Sequence, residues 1–454
     1  MKELDLTQGS VPKVLLQFAV PFLIANVLQA LYGGADLFVV GQYDDSASVA
    51  AVAIGSQVMQ TITGIILGIT TGTTVLIAIA TGAKDNRKVA FTIGSSVWLF
   101  SITGVVLTLV MVLFHSRIAE LMHTPVEAMV DTKNYILVCS LGILFIVGYN
   151  VVCGILRGLG DSKTPLYFVG LACVINIVLD FILVGYFHWG ATGAAIATVT
   201  AQGVSFGIAL WFLYRHGFHF DFSRKDIRLN RNLSKKILVL GAPIALQDAL
   251  INVSFLIITV IVNQMGVIAS ASLGVVEKII VFAMLPPMAI SSAVATMTAQ
   301  NYGAGLIKRM NKCLASGIGI ALVFGVSVCV YSQFLPETLT AFFTKDAAVV
   351  AMAADYLRGY SIDCIVVSFV FCINSYFSGQ GNSLFPMIHS LIATFLFRIP
   401  LSYWFSQIDS SSLFIMGVAP PISTVVSLLI CIWYLRYTQR KLYLRGTMMP
   451  AMSN

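Results

Sequence analysis

Asn26, Gln29, Gly33 and Asp36 recur at i, i+3, i+7 and i+10 in the first long apolar run, a spacing that lines them along one helix face. A charged side chain near the middle of a membrane helix costs roughly 2.5–3.5 kcal/mol on insertion scales, so a carboxylate there needs a partner, water or a ligand. Asn176 and Asp180 stand one above the other at i, i+4 on the fifth apolar run. Thr198 and Gln202 repeat that spacing on the sixth, behind Gly193, Ala194 and Ala195, small residues that let helices approach closely. The three sets together can build one polar pocket in the first half of the chain. Two plainer readings stand beside it. Asp36 is near enough to the end of its run to reach the interface, and a threonine hydroxyl can bond its own helix backbone.

The second half of the chain is charged differently. Asp248 and Asn252 share a face of the seventh run, and Glu277 and Lys278 interrupt the eighth. Asp355, Arg358 and Asp363 follow along the tenth, and Arg398 with Pro400 falls in the eleventh. With both signs present, pairing of Lys278 or Arg398 with an acid is the structural expectation, against direct ion or substrate contact at Asp248, Glu277 and Asp363. His389 is a proton carrier or, more simply, a histidine bonded to a neighbouring helix. Phe282, Met284, Met288 and Phe369 suit a pliable apolar cavity for cations, or else pack and face lipid.

Several motifs point to chemistry the chain does not carry. Gly158-Leu159-Gly160-Asp161 spells the GxGD string of intramembrane aspartyl proteases, which need a second aspartate facing the first. The second copy of this segment has Asn382 in place of the acid, so a glycine-rich helix exit with a polar turn is the better reading. No Walker-type phosphate loop and no HExxH pair occurs, which leaves ATP hydrolysis and zinc chemistry without a site. Transport by such a chain would run on an ion gradient, with no cofactor and no bound metal beyond a coupling Na+.

The elements that must position these residues are set by composition. Of 454 residues 58% are hydrophobic and only 10% charged, against about 25% charged in soluble domains, so lipid is the solvent for most of the chain. Apolar stretches of roughly 20 residues or more number about twelve. They fall at 14–40, 47–80, 90–114, 134–156, 164–187 and 191–214, then at 235–262, 269–299, 311–333, 349–376, 385–406 and 412–435. Backbone groups in hydrocarbon must bond within their own segment, which makes these spans helices. The net charge of +7 does not point to nucleic acid, because the basic residues gather in every second connection. Lys84, Arg87 and Lys88, then Arg157 and Lys163, the 215–236 stretch, Lys308, Arg309 and Lys312, and Arg436 to Arg445 alternate with connections holding Asp44, Asp45, Glu120 and Asp409. That alternation places both termini in the cytoplasm. The chain also repeats itself: Gly158-x-Gly160-Asp161-Ser162-x-x-Pro165 returns as Gly379-x-Gly381-Asn382-Ser383-x-x-Pro386, and Tyr135 and Ser140 return as Tyr356 and Ser361. The expected architecture is two six-helix lobes, 1–222 and 223–454, of one orientation and related by an axis along the membrane normal. No cleaved signal peptide is expected, since the first run is too long for one, and the eight cysteines, with no CxxC pair, read as small packing residues.

These residues resemble the multidrug and toxic compound extrusion (MATE) family, in particular its prokaryotic multidrug-exporter and DNA-damage-inducible branch. The resemblance is carried by LYGGAD ending at Asp36, Gly82-Ala83-Lys84, GILRGLGDSKTP from Gly154 to Pro165, NIVLD from Asn176 to Asp180, and GAAIAT ending at Thr198. It implies an all-α, V-shaped integral membrane protein of twelve transmembrane helices in the bacterial inner membrane, expected to work as a monomer among lipid. It implies antiport of H+ or Na+ against organic cations and other amphipathic drugs, not enzyme catalysis. It implies a cation-coupling site at Asp36, Asn176, Asp180 and Thr198. Relatives commonly carry a proline after the fifth-helix aspartate, where this chain has Phe181. The alternative is a flippase for lipid-linked oligosaccharides or precursors, or a metabolite exporter, of related architecture; several unpaired Arg or Lys in a central cavity would favour it.

Overall fold

Segments this apolar can satisfy their backbone in lipid only as helices, and the computed structural model, which describes residues 4–408 and 412–448, is built of them, with no strand among the described residues. The chain ends and Asp409, on which part of the charge-alternation reading falls, lie outside the described residues. The first half consists of α1 (Val11–Tyr43), α2 (Ser46–Gly82), α3 (Asn86–Leu121), α4 (Met129–Leu141), α5 (Ile143–Leu159), α6 (Lys163–Asp180) and α7 (Gly190–His216). The second half consists of α8 (Arg231–Asn263), α9 (Val267–Gly303), α10 (Ile307–Phe334), the short α11 (Pro336–Thr340), α12 (Ala347–Gly379), α13 (Leu384–Ile392), α14 (Ile399–Ile408) and α15 (Phe414–Met448). Eleven helices among the described residues are long and apolar enough to cross a membrane. The twelfth crossing is a bent pair, Val126–Leu141 with Ile143–Leu159, at 49°. Its corner is Gly142, where an added Cβ would lie 2.6 and 2.8 Å from the two methyls of Val199 on α7. The chain turns where only a glycine leaves room for the neighbouring helix.

Both halves interrupt the same helix of the repeat. After Asp180, α6 widens into a π-helical segment, Phe181–Tyr186, and α13 runs through a second one, Ala393–Arg398, into α14. The fifth span therefore breaks its regular hydrogen bonding at Phe181, with no proline there. Such π turns re-aim side chains and recur at functional sites.

The GxGD segment serves as a helix junction. Gly160 ends α5 with φ +100°, a left-handed conformation that disfavours any side chain. The Asp161 carboxylate accepts hydrogen bonds from the Lys163 and Thr164 amides, both at 3.0 Å, and from the Thr164 hydroxyl at 2.5 Å, capping α6. Asn382 repeats the work for α13, accepting from the Phe385 amide at 3.4 Å, and Gly381 stands at φ +86°. An amide oxygen caps as a carboxylate does, which is why the repeat can exchange Asp for Asn.

By contacts the chain forms two compact units, one of Met1–Ala249, Thr296–Met310 and Gly379–Gly381, the other of Leu250–Ala295, Asn311–Ser378 and Asn382–Asn454. The first unit is centred on α2 against α5. Gly154 and Gly158 sit one turn apart on α5 facing Thr70, Thr74 and Ile77 of α2, and the Thr74 hydroxyl donates to the Gly154 carbonyl at 3.0 Å. This small-residue seam replaces hydrophobic driving force by close backbone packing, the arrangement that lipid as a solvent favours. The same unit holds the start of the chain: Leu6 is fully buried, and the Arg309 guanidinium donates to the Gln8 and Gly9 carbonyls at 2.5 and 2.6 Å. The second unit packs Ile258, Val262, Leu273 and Val276 against Tyr356, Tyr360 and Met416. All eight cysteines are buried, as packing residues are.

Candidate functional site

The polar residues singled out on the first, fifth and sixth spans meet in the first unit. Asp36 of α1 is 4% exposed, Asn176 of α6 1% and Asp180 0%, so all three are held inside the protein. The Thr198 hydroxyl of α7 donates to Asp36 Oδ2 at 3.1 Å and accepts from Asn176 Nδ2 at 3.3 Å. It bridges two helices instead of bonding its own backbone. The carboxyls of Asp36 and Asp180 lie within electrostatic range of one another.

The acceptors outnumber the donors. Asp36 Oδ1, Asn176 Oδ1 and both Asp180 carboxylate oxygens are buried and meet no hydrogen-bond donor. None of the four salt bridges among the described residues involves either aspartate. Buried acceptors without donors are costly, and two unit charges about 4 Å apart at an effective dielectric of about 20 repel by roughly 4 kcal/mol. The donor set is all oxygen, hard and anionic, which fits a proton or Na+ and offers a soft metal nothing. Among the described residues no three His, Cys, Asp or Glu side chains gather as a metal site.

Other residues of the stripe stand apart. Gln29 is exposed and Asn26 half-buried, and neither bonds to the Asp36 group. Tyr32 does belong to the pocket, although the polar-stripe reading passed over it. Its hydroxyl accepts from Gln202 Nε2 at 3.3 Å, and its phenol lies within electrostatic range of Asp36. The signal was present in its spacing, three residues after Gln29 and four before Asp36.

The second-half acids do not assemble into an equivalent site. Asp248 is exposed on the part of α8 that belongs to the first unit, whereas Glu277 and Asp363 lie in the second. Glu277 Oε1 accepts from the Thr259 hydroxyl at 3.3 Å, and Asp363, 6% exposed, lies beside Tyr360 and Thr424. The expected pairing of Lys278 or Arg398 with an acid is absent among the described residues: Arg398 stacks its guanidinium over the Phe255 ring at 4.2 Å. The ion pairs that form are Arg358 with Asp355 and Glu337, at 3.3 and 2.6 Å, on partly exposed side chains. His389 is satisfied within the second unit, Nε2 donating to Asn374 Oδ1 and Nδ1 accepting from the Ser427 hydroxyl, each at 2.8 Å. Met284 is buried in the second-unit core, while Phe282 and Met288 are each 48% exposed. A separate apolar cavity of about 780 Å³ lies in the first unit, lined by Phe100, Val147, Val151, Phe206, Leu210 and Phe218.

With this geometry in place, comparison with known proteins is decisive about ancestry. The MatE family model matches residues 21–182 and again 243–404, one match for each half of the internal repeat. The chain belongs to the MatE family. It is a transporter and not an enzyme. It is 28% identical over 407 residues to the "Probable multidrug resistance protein YpnP" of Bacillus subtilis, covering 89% of this chain and 91% of that protein. It is 26% identical over 380 residues to the "Multidrug export protein MepA" of Staphylococcus aureus, covering 82% of each. Its fold matches the structure described as "Outward-facing conformation of a multidrug resistance MATE family transporter of the MOP superfamily", with a TM-score of 0.91 at 23% identity over 97% of this chain and 99% of that one. The MatE chain is thus a multi-pass membrane protein of all-helical fold, as its motifs and composition led us to expect.

Proposed function

We propose that this MatE chain is a cation-coupled antiporter that exports organic cations and other amphipathic drugs across the plasma membrane. In this reading H+ or Na+ is exchanged at Asp36, Asn176, Asp180 and Thr198. The observation that carries it is the pair of buried carboxyls whose oxygens outnumber their donors. The names of relatives such as YpnP and MepA support drugs as the cargo. The halves 1–222 and 223–454 act as the two lobes, with both termini cytoplasmic, a placement supported by the alternation of basic connections.

The cycle follows from charge. With both carboxylates ionised the pocket attracts a cation from outside, and loading removes their repulsion. Neutralised, the carboxyls can approach and share a hydrogen bond, so α1 repacks against α6 and α7. Pro21 and the Gly33-Gly34 pair leave α1 fewer and weaker backbone bonds to resist bending. Drug affinity falls in the cation-loaded state, and drug leaves outward. Each charge carried through a potential of 100 mV adds about 2.3 kcal/mol to the driving force. The test is efflux of a fluorescent cation from cells lacking their own pumps, with pH and Na+ gradients imposed separately. Efflux should follow one gradient in the wild type and vanish in Asp36→Asn, with the variant still present in the membrane. Unchanged efflux by Asp36→Asn would sink the coupling assignment, and no wild-type efflux under either gradient would sink antiport itself.

A further inference from the structure

Arg398 is a half-buried cation near the middle of the Leu384–Ile408 span. Its position is set by the π-helical segment Ala393–Arg398, of which it is the last residue. Its guanidinium carbon lies over Phe255 of α8, 4.2 Å from the ring centroid. Such a contact offsets only part of the cost of an arginine at mid-span. Glu277 and Asp363 feel its charge, yet neither comes to ion-pair distance. Glu277 is held by Thr259, and Asp363 lies beside Tyr360 and Thr424. Arg398 makes no hydrogen bond within the described residues, and its Nε is buried without an acceptor. The four terminal N–H donors of the guanidinium are therefore left over an aromatic floor, with a carboxylate near them but not on them.

The corresponding helix of the first half carries Asn176 and Asp180 just before its own π segment. The repeat has thus placed acceptors on one copy of this helix and a strong donor on the other. We infer that Arg398, with Phe255 behind it and Glu277 beside it, forms a subsite in the second unit for the carboxylate of an amphipathic, zwitterionic substrate. The carboxylate takes the guanidinium fork, the aromatic or apolar body lies along Phe255, and a cationic group of the same molecule faces Glu277. Calling the ligand a substrate rests on the export reading above; the subsite itself does not. An anionic lipid headgroup offers the guanidinium the same oxyanion chemistry, and the experiment separates the two sources.

The test is equilibrium binding, without any gradient, of rhodamine B and its ethyl ester to purified protein in phosphatidylcholine nanodiscs, read by fluorescence anisotropy against empty discs. The two dyes differ only in the carboxylate. The wild type should prefer the acid over the ester at least tenfold, Arg398→Met should abolish that preference, and Arg398→Lys, which keeps the charge but not the fork, should retain part of it. Because the readout is a ratio of two affinities, partial loss of folded protein leaves it intact, and Arg398→Lys serves if Arg398→Met does not fold. A preference equal in the wild type and in the Arg398 variants overturns the inference. So does a wild type without preference in phosphatidylcholine that retains phosphatidylglycerol through Arg398, which would assign the guanidinium to lipid phosphate. Gradient-driven efflux of a simple cation by the wild type, measured in parallel, decides the antiport reading separately.

Discussion

Replacing Thr198 by valine removes one hydroxyl and keeps the branched shape, and that hydroxyl joins three residues of the proposed coupling site. It donates to Asp36 Oδ2 at 3.1 Å and accepts from Asn176 Nδ2 at 3.3 Å. A hydrogen bond to a charged group contributes about 1.5–3 kcal/mol, and a buried amide donor left without an acceptor costs about 1–3 kcal/mol. Neighbouring losses do not add fully, so a destabilisation of about 2–4 kcal/mol is expected. The larger signal is in coupling. Asp36 loses its neutral donor and the pocket loses an oxygen that could face the ion, so half-maximal efflux should require at least tenfold more coupling ion, the equivalent of about 1.4 kcal/mol. The assay is the dependence of fluorescent-cation efflux on H+ or Na+ concentration in reconstituted vesicles, alongside thermal melting of the purified protein. Thr198→Ser retains the hydroxyl and should stay within about threefold of the wild type in ion dependence. An ion dependence of Thr198→Val that matches the wild type, whatever its melting temperature, would refute the role given to this residue; a lowered melting temperature alone would reduce Thr198 to a packing residue.

Two further expectations concern the scaffold. Asp161→Asn should melt within about 0.5 kcal/mol of the wild type and still export, since Asn382 caps the repeat copy, whereas Asp161→Ala should lose about 1 kcal/mol as the Lys163 and Thr164 amides lose their acceptor; loss of transport in Asp161→Asn at normal stability would reopen a chemical role for the GxGD aspartate. Gly154→Val places a branched side chain against Thr70 and Thr74 at the α2–α5 seam, and overpacking of this kind costs about 1–3 kcal/mol, so a clear drop in melting temperature and in folded yield is expected, and a wild-type melt would show the seam to be loose.

Much of the scaffold was legible because lipid leaves the chain few choices. An apolar run long enough to span must be a helix, and a repeated GxG-D/N-S-x-x-P segment must do one job twice, as Asp161 and Asn382 do. The Asp36 group was legible for a related reason: polar atoms are so costly at mid-span that Asp36, Asn176 and Thr198, each at helical spacing, had little choice but to find one another. What the spacing concealed was direction. Gln29 lies on the same stripe as Asp36 yet is exposed, because the face of a helix that packs changes along its length as neighbours come and go. Tyr32 was hidden by its type, since a tyrosine counts as apolar in a hydropathy scan although its hydroxyl receives the Gln202 bond. The bend at Gly142 depends on Val199, far away in sequence, and no local rule contains it. Arg398 failed the simplest rule, that opposite charges in lipid pair, because Glu277 is held by Thr259 while an aromatic ring lies under the guanidinium. A buried carboxylate can be neutralised by a proton, so Asp36 and Asp180 can stand together and wait for a cation. An arginine has no such exit, since its guanidinium stays protonated. An arginine kept at mid-span without a carboxylate on it is therefore, in the reading we propose, a standing demand for an anion, as the Asp36 and Asp180 carboxyls of the first half are for a cation.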